Sequence, residues 1–384
     1  MRKIFPILII FVLIFLVCIS GCTNKTPIPN QTSTIQIPSP AVTLTLSSGT
    51  VSTTATRPVV TTRSLEIVMQ PRGVADPAFV VDVMIPEKIA PGTTLVGDLH
   101  DPAQPRIVEV NTLGEIVWEY YLPEELKTYT NPGFSAVPLQ NGNILAAYPC
   151  KGVYEINRTS KAIVWEYIDP KASHDAERLS NGNTLVVDGG YGRDTLEDPA
   201  VVEVNPRGQV VWSWYAKGEF NHAPYNVNTD KDWTHTNAAS RLENGDTLIS
   251  MRNFNLVAIV DRNGKVVQTR GEGVMTQQHD PYMLPNGNLL FANPGQSPQA
   301  VEINSDGKVI WSYDIPKDIE FASQSTRNAD RLQNGNTLIT SANRLIEVTP
   351  QEDIVWQFRL KDIQFASSDD AKSRGFYKAI RIPA

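Results

Sequence analysis

The chain reads as an all-β protein, a six-bladed β-propeller of four-stranded blades, and three observations carry that reading. An Asn-Gly hairpin recurs along the chain, a second hairpin ending in a Val-Trp pair alternates with it, and the C-terminus repeats half of one hairpin and then stops. Units of four strands at a spacing of about 40 to 60 residues, with period-2 alternation inside each strand, are what propeller blades require.

Taken in order, Met1-Arg2-Lys3 is a positive start, Ile4 to Val17 is an apolar run short for a membrane span, and small residues follow. This is the pattern of an export signal. Ile19-Ser20-Gly21-Cys22 resembles a lipobox, so residues 1–22 are expected to be a signal peptide ending at a lipidated Cys22; an uncleaved anchor helix would leave the same topology. Residues 23–64 are dominated by Ser, Thr and Pro with few charges. Such a segment cannot bury enough apolar surface to fold and is expected to be a disordered stalk. The expected location is therefore the extracellular face of the cell membrane, with the propeller at residues 75–384 held there by the lipid anchor. A formal net charge of −7 gives no electrostatic reason to expect nucleic acid as a partner. Of the three cysteines, Cys18 and Cys22 lie in the leader and Cys150 stands alone, which excludes a disulfide framework and a cysteine-based metal site in the folded part.

The first hairpin type is illustrated by Ala176-Glu-Arg-Leu-Ser-Asn-Gly-Asn-Thr-Leu-Val-Val-Asp188, in which Asn-Gly supplies the positive φ that a tight turn needs. It recurs at Asn141-Gly142, Asn181-Gly182, Asn244-Gly245, Asn286-Gly287 and Asn334-Gly335. The second type runs through Val108 to Tyr120, Val153 to Tyr167, Ala200 to Trp214, Leu256 to Gly271, Ala300 to Tyr313 and Leu345 to Phe358. Trp118, Trp165, Trp212, Trp311 and Trp356 recur in it at one outer-strand position and are expected to pack between blades. The first blade shows only Ala90 to Val96 in place of a full first hairpin, while Phe376 to Pro383 repeats the Ala-x-Arg-apolar pattern. The C-terminal strand is therefore expected to complete the first blade and close the ring, removing an exposed edge.

In this layout the strand leading into Asn-Gly is innermost, and its start lies at one mouth of the central channel. Seven residues before each turn asparagine stand Phe134, His174, Asn237, His279 and Arg327, with His235 two residues before Asn237. Three of the five histidines of the chain thus converge on one place. Pairing through Asn244-Gly245 puts Asn237 opposite Arg252, which brings a guanidinium to the same mouth. Three imidazoles, an amide and an arginine fork make a donor cluster suited to a tetrahedral oxyanion such as sulfate or phosphate. Two other readings stay open: satisfied polar residues joining blades, or a structural metal on three histidines, which Arg252 would repel.

Asp232-Trp-Thr-His-Thr-Asn237, Ser250-Met-Arg-Asn253, Gln278-His-Asp280 followed by Asn293, and His174-Asp175 resemble the motifs of the arylsulfate sulfotransferase family, exported enzymes that do not use phosphoadenosyl phosphosulfate. The likeness runs through residues 75–383. It implies transfer of a sulfuryl group from an aryl sulfate donor to a phenolic acceptor through a sulfated histidine. Carried over by motif, His279 is the nucleophile and His174, His235, Asn237 and Arg252 hold the sulfuryl oxygens. The resemblance implies neither a cofactor nor a catalytic metal. The sequence departs from the family in lacking a cysteine pair and in having a stalk where some members have a folded N-terminal domain.

The residues suit this chemistry independently. Sulfuryl transfer, like phosphoryl transfer, needs a positioned nucleophile and stabilised equatorial oxygens. Neutral imidazole is a competent nucleophile near neutral pH. No P-loop-like glycine run is present, which disfavours a nucleotide sulfate donor. The insertion between Gly182 and Gly245 is expected to form an aromatic lid, with Tyr225 and Trp233 stacking on phenolic rings and His222 close by. Arg327 and Asn293 are further expected substrate contacts. A non-catalytic surface propeller that binds a sulfated or anionic ligand is the alternative function.

Overall fold

In a computed structural model the described residues are 71–384, apart from 128–132, 190–193, 296 and 319. The expected signal peptide, Cys22 and the stalk fall outside them. Among the described residues no helix is long and apolar enough to cross a membrane.

Six antiparallel sheets follow one another around the ring, five of them with an Asn-Gly hairpin inside, and all six with the second type of hairpin outside. The third blade shows the pattern: Ala172–Arg178 innermost, then Thr184–Asp188, Val201–Val204 and Val210–Trp214 outermost. Burial follows position. The second and third strands of a blade are covered on both faces and buried throughout, whereas the outermost strand alternates.

The ring closes as the repeat pattern predicts. Ala379–Ile382 pairs with Thr93–Asp98, with Thr94 opposite Arg381 and Val96 opposite Ala379. Gly92 permits this closure: its φ is +123° and a Cβ there would sit 2.0 Å from the Ile382 carbonyl oxygen. A second closure went unforeseen. Phe79–Met84 adds outside Ile354–Leu360 and makes the last blade five-stranded, where four strands were expected. Phe79 to Met84 has strand-like alternation but no counterpart in the repeat, so no pattern pointed to its partner. Its effect shows at one repeat position: Val355 under the added strand is 0% exposed, whereas Val164 and Val211 on uncovered outer strands are 54% and 53% exposed.

The recurring tryptophans join blades as expected, but with charged partners. Arg178 stacks on Trp165 and pairs with Glu155 at 3.0 Å; Arg241 does the same with Trp212 and Glu203, Arg331 with Trp311 and Glu302, and Arg381 with Trp356 and Glu347. Each glutamate sits opposite its tryptophan in one blade, and the arginine comes from the inner strand of the next. A guanidinium held between a ring face and a carboxylate is geometrically demanding, so these triplets set the relative position of neighbouring blades.

Candidate active site

The repeat places equivalent residues in a ring at one channel mouth, and the structure fills its sixth place with Tyr377. Ala379-Ile-Arg381 matches Ala176-Glu-Arg178, so Tyr377 is the counterpart of His174. The ring centroids of His174 and Tyr377 lie 6.3 Å apart, those of His174 and His235 5.1 Å, and those of His174 and His279 6.5 Å. His174, Asn237, His279, Arg327 and Tyr377 are all buried. Phe134 takes no part in the polar cluster; it packs on Tyr148 at 4.9 Å.

Partners determine the tautomer of His279. Its Nδ1 lies 2.8 Å from the Gln277 carbonyl oxygen, which only accepts, and its Nε2 lies 3.0 Å from Arg327 Nη1, which only donates. The proton is therefore on Nδ1 and the lone pair on Nε2. Burial, with Arg327 and Arg252 nearby, pushes the His279 pKa well below that of a free imidazole, so the ring is neutral at neutral pH. Burial and the adjacent His235, Arg327 and Arg252 depress His174 in the same direction.

His235 is held differently. Its Nδ1 donates to Asp232 Oδ1 at 2.7 Å, and its backbone adopts a φ of +46°. That corner is pinned by buried Asp194, whose Oδ2 accepts from Thr234 N and Thr234 Oγ1, each at 2.8 Å. Asp194 comes from the insertion, 40 residues away in sequence, and no motif announced it.

Neither guanidinium of the cluster has a carboxylate within ion-pair distance among the described residues. Arg327 donates from Nη1 to His279, while its buried Nε finds no acceptor. Burial brings its pKa down to about 10, with Arg252 adding to the effect, so it stays charged at neutral pH. Arg252 donates from Nη1 to Asn253 Oδ1 at 2.9 Å.

Several expectations change in detail. Asn237 was expected opposite Arg252, but the strands pair Ala238 with Ser250 and Thr236 with Met251, leaving Asn237 in a bulge. Arg252 lies beyond the strand end and its N–H meets His235 O at 3.3 Å. A bulge shifts register by one residue and re-aims a side chain, which brings Asn237 Nδ2 to the Gln278 carbonyl at 2.7 Å. That amide thus ties the His279 strand to its neighbour, and its Oδ1 is buried without a partner among the described residues. Asn293 holds Thr276 N and Val274 O with the two ends of its amide, so it fixes the loop before His279.

The insertion does form an aromatic cluster beside the mouth. Phe220, Tyr225, Phe254 and Trp233 pack with centroid separations of 4.9–5.6 Å. Trp233, expected in the aromatic lid, is 2% exposed, donates its Nε1–H to the Tyr225 carbonyl at 2.7 Å and lines the cavity beside the mouth. Tyr225, Phe254, Arg252, Asp232 and Gln277 line a cavity of about 520 Å³ next to the histidines. His222 lies outside this lining, exposed, with Nδ1 donating to Ala223 O.

A family model described as arylsulfotransferase (ASST) matches residues 80–273, half of the chain. The matched region includes His174, His235, Asn237 and Arg252 and ends before His279. No curated protein matches the sequence. Among solved structures, a protein of unknown function from Bacteroides caccae is 20% identical, with a TM-score of 0.50 over 72% of this chain and 96% of that one. A virginiamycin B lyase from Staphylococcus aureus, solved with quinupristin, is 12% identical, with a TM-score of 0.45 over 72% and 87%. At 20% identity the first of these likenesses is one of fold alone.

Proposed function

Because this chain belongs to the arylsulfotransferase family, we propose that it moves a sulfuryl group from a phenolic sulfate ester to a phenolic acceptor, with His279 as the transient carrier. One observation carries the reading: two arginines stand at a channel mouth beside three imidazoles, and Arg327, with no carboxylate within ion-pair distance among the described residues, is hydrogen-bonded to the lone pair of a neutral, buried histidine. The Arg327 charge is buried, which is costly, and a bound anion is what relieves it.

The steps follow from these contacts. A sulfate ester entering the mouth takes Arg327 and Arg252 onto its sulfuryl oxygens, which frees the Nε2 lone pair of His279. That lone pair attacks sulfur, the bond from sulfur to the aryl oxygen breaks, and its electron pair leaves on a phenolate. His235, backed by the Asp232 carboxylate, supplies the proton that makes the leaving group a neutral phenol. Tyr377, whose hydroxyl is kept protonated by burial, donates toward the sulfuryl oxygens. A second phenol then gives its proton back to His235 and attacks sulfur. The N–S bond breaks, and His279 returns to its starting state. The cavity beside Tyr225 and Phe254 receives the aryl ring. The export-signal pattern of residues 1–22 and the lipobox-like Cys22 support a location for this chemistry outside the cell membrane.

Mixing the protein with excess 4-nitrophenyl sulfate tests the proposal. A covalent carrier predicts a burst of nitrophenol approaching one equivalent, followed by turnover that depends on added phenol. Saturable sulfate-ester binding with no nitrophenol released would replace the enzyme with an anion-binding propeller.

A further inference from the structure

The channel continues beneath the histidines. One residue beyond the ring positions stand Asp175 after His174, Asp280 after His279, Asn328 after Arg327 and Lys378 after Tyr377. The Lys378 ammonium bridges the two carboxylates, at 3.1 Å from Asp175 Oδ1 and 2.8 Å from Asp280 Oδ1. Asn328 Nδ2 donates to the other oxygen of Asp280 at 2.7 Å. All four residues are largely or wholly withdrawn from solvent, so these contacts persist with little screening by water or salt.

The backbone around His279 explains what such contacts do. Gln277 and Asp280, on either side of the nucleophile, have φ of +55° and +48°, and neither is glycine. Non-glycine residues persist in this region only where their surroundings over-determine them. On the upstream side Asn255 Oδ1 accepts from Gln277 N, and the Gln278 amide donates to Ser250 Oγ and to the Met251 and Leu256 carbonyls. On the downstream side the side-chain contacts of Asp280 are Lys378 and Asn328. Lys378 belongs to the segment leading into the ring-closing strand, so the last residues of the chain reach across the channel to the nucleophile's corner.

We propose that Lys378 is a positioning residue for sulfuryl transfer: through Asp280 it holds the strained corner that aims His279 Nε2 at Arg327 and the incoming sulfur, and through Asp175 it sets the spacing of His174 from His279. The proposal rests on His279 being the carrier. Lys378 touches no substrate; removing it lets the corner relax and turns the imidazole off its line of attack. Misplacement by about 1 Å costs on the order of a hundredfold.

The test is a double-mutant cycle on the burst rate constant with 4-nitrophenyl sulfate. Lys378→Met and Asp280→Ala are each expected to lower that constant by about 10- to 100-fold, with KM for the donor changed by less than about threefold, and the double variant is expected to lose no more than either alone. Losses that multiply in the double variant, or a folded Lys378→Met with the parent's burst rate, would overturn the proposal. Amide hydrogen exchange supplies an arm that needs no activity. In Lys378→Met, exchange at 277–280 should speed by about tenfold or more while the amides of Arg344–Val348 stay protected; unchanged exchange at 277–280 would also overturn it. If Lys378→Met does not fold, Asp280→Asn, which keeps the side-chain volume and loses the charge, takes its place in both arms. A parent without a burst would overturn the carrier reading, and the exchange arm would still decide the role of Lys378.

Discussion

His279 and His235 stand at one mouth in the same kind of setting, each at a corner with left-handed backbone, yet their partners differ in the respect that matters. His279 has a neutral carbonyl on Nδ1 and a guanidinium on Nε2. His235 has a carboxylate on Nδ1. A carbonyl on Nδ1 fixes the tautomer of His279 without stabilising an imidazolium, and burial keeps that ring a neutral lone-pair donor, whereas the Asp232 carboxylate orients His235 through its Nδ1–H. Two equal imidazoles are set apart by burial and by the partners of their ring nitrogens.

The largest expected effect comes from removing one ring or the other. His279→Ala should lose burst and turnover together while melting near the parent temperature, since no other group offers a lone pair at that point. His235→Ala should slow the burst but leave its amplitude measurable. A burst that survives in His279→Ala and vanishes in His235→Ala would exchange the two roles.

Next is the charge that both rings face. Arg252→Lys keeps the positive charge but loses the bidentate fork, and turnover should fall by about tenfold to a thousandfold, the range for one oxyanion donor. Chelators should change nothing. Activity abolished by a chelator and restored by zinc would remove the sulfuryl clamp in favour of a metal site.

Asp232→Asn sharpens the comparison from the His235 side. The amide keeps an oxygen for Nδ1 but withdraws the charge, so the burst with a poor leaving group, unsubstituted phenyl sulfate, should slow by about tenfold to a hundredfold. With 4-nitrophenyl sulfate, whose phenolate needs less help from a proton, the loss should be smaller. Equal losses for both donors would argue that Asp232 only shapes its loop.

The smallest expected effect is on stability. The folded-state pKa of His279 lies below its unfolded value of about 6.5, so below that pH unfolding takes up a proton and stability falls as the solution is acidified. The slope for one such group approaches about 1.4 kcal/mol per pH unit. His279→Gln should therefore lose less stability than the parent between pH 8 and pH 5, measured by urea unfolding. Asp188, which burial raises to about 7, and Asp330, raised to about 6, act in the opposite direction but are common to both proteins and cancel in the difference.

The blade count, the order of strands, the C-terminal closure and the gathering of His174, His235, Asn237, His279 and Arg327 were all legible in the sequence, because each rests on a repeat. Tyr377 was legible in principle, since the match of Ala379-Ile-Arg381 to Ala176-Glu-Arg178 assigns it to the ring. Asp194 and the outer strand Phe79–Met84 were not, because they have no counterpart in other blades and meet their partners only across long sequence separations. The one-residue bulge at Asn237 was hidden for another reason: a hairpin's turn fixes register at its own end, and a distortion at the far end leaves no mark in residue types.

By itself, then, the sequence determined the architecture and which side chains face the mouth, through period-2 alternation, Asn-Gly turns and the equivalence of positions in successive blades. Tertiary structure alone decided what those side chains can do. The guanidinium of Arg327 on the lone pair of His279 and the Lys378 bridge between Asp175 and Asp280 arise from contacts between blades, and the Asp232 carboxylate meets His235 within one loop. Protonation state and charge balance depend on burial and neighbours within a few ångströms, and no linear pattern encodes either.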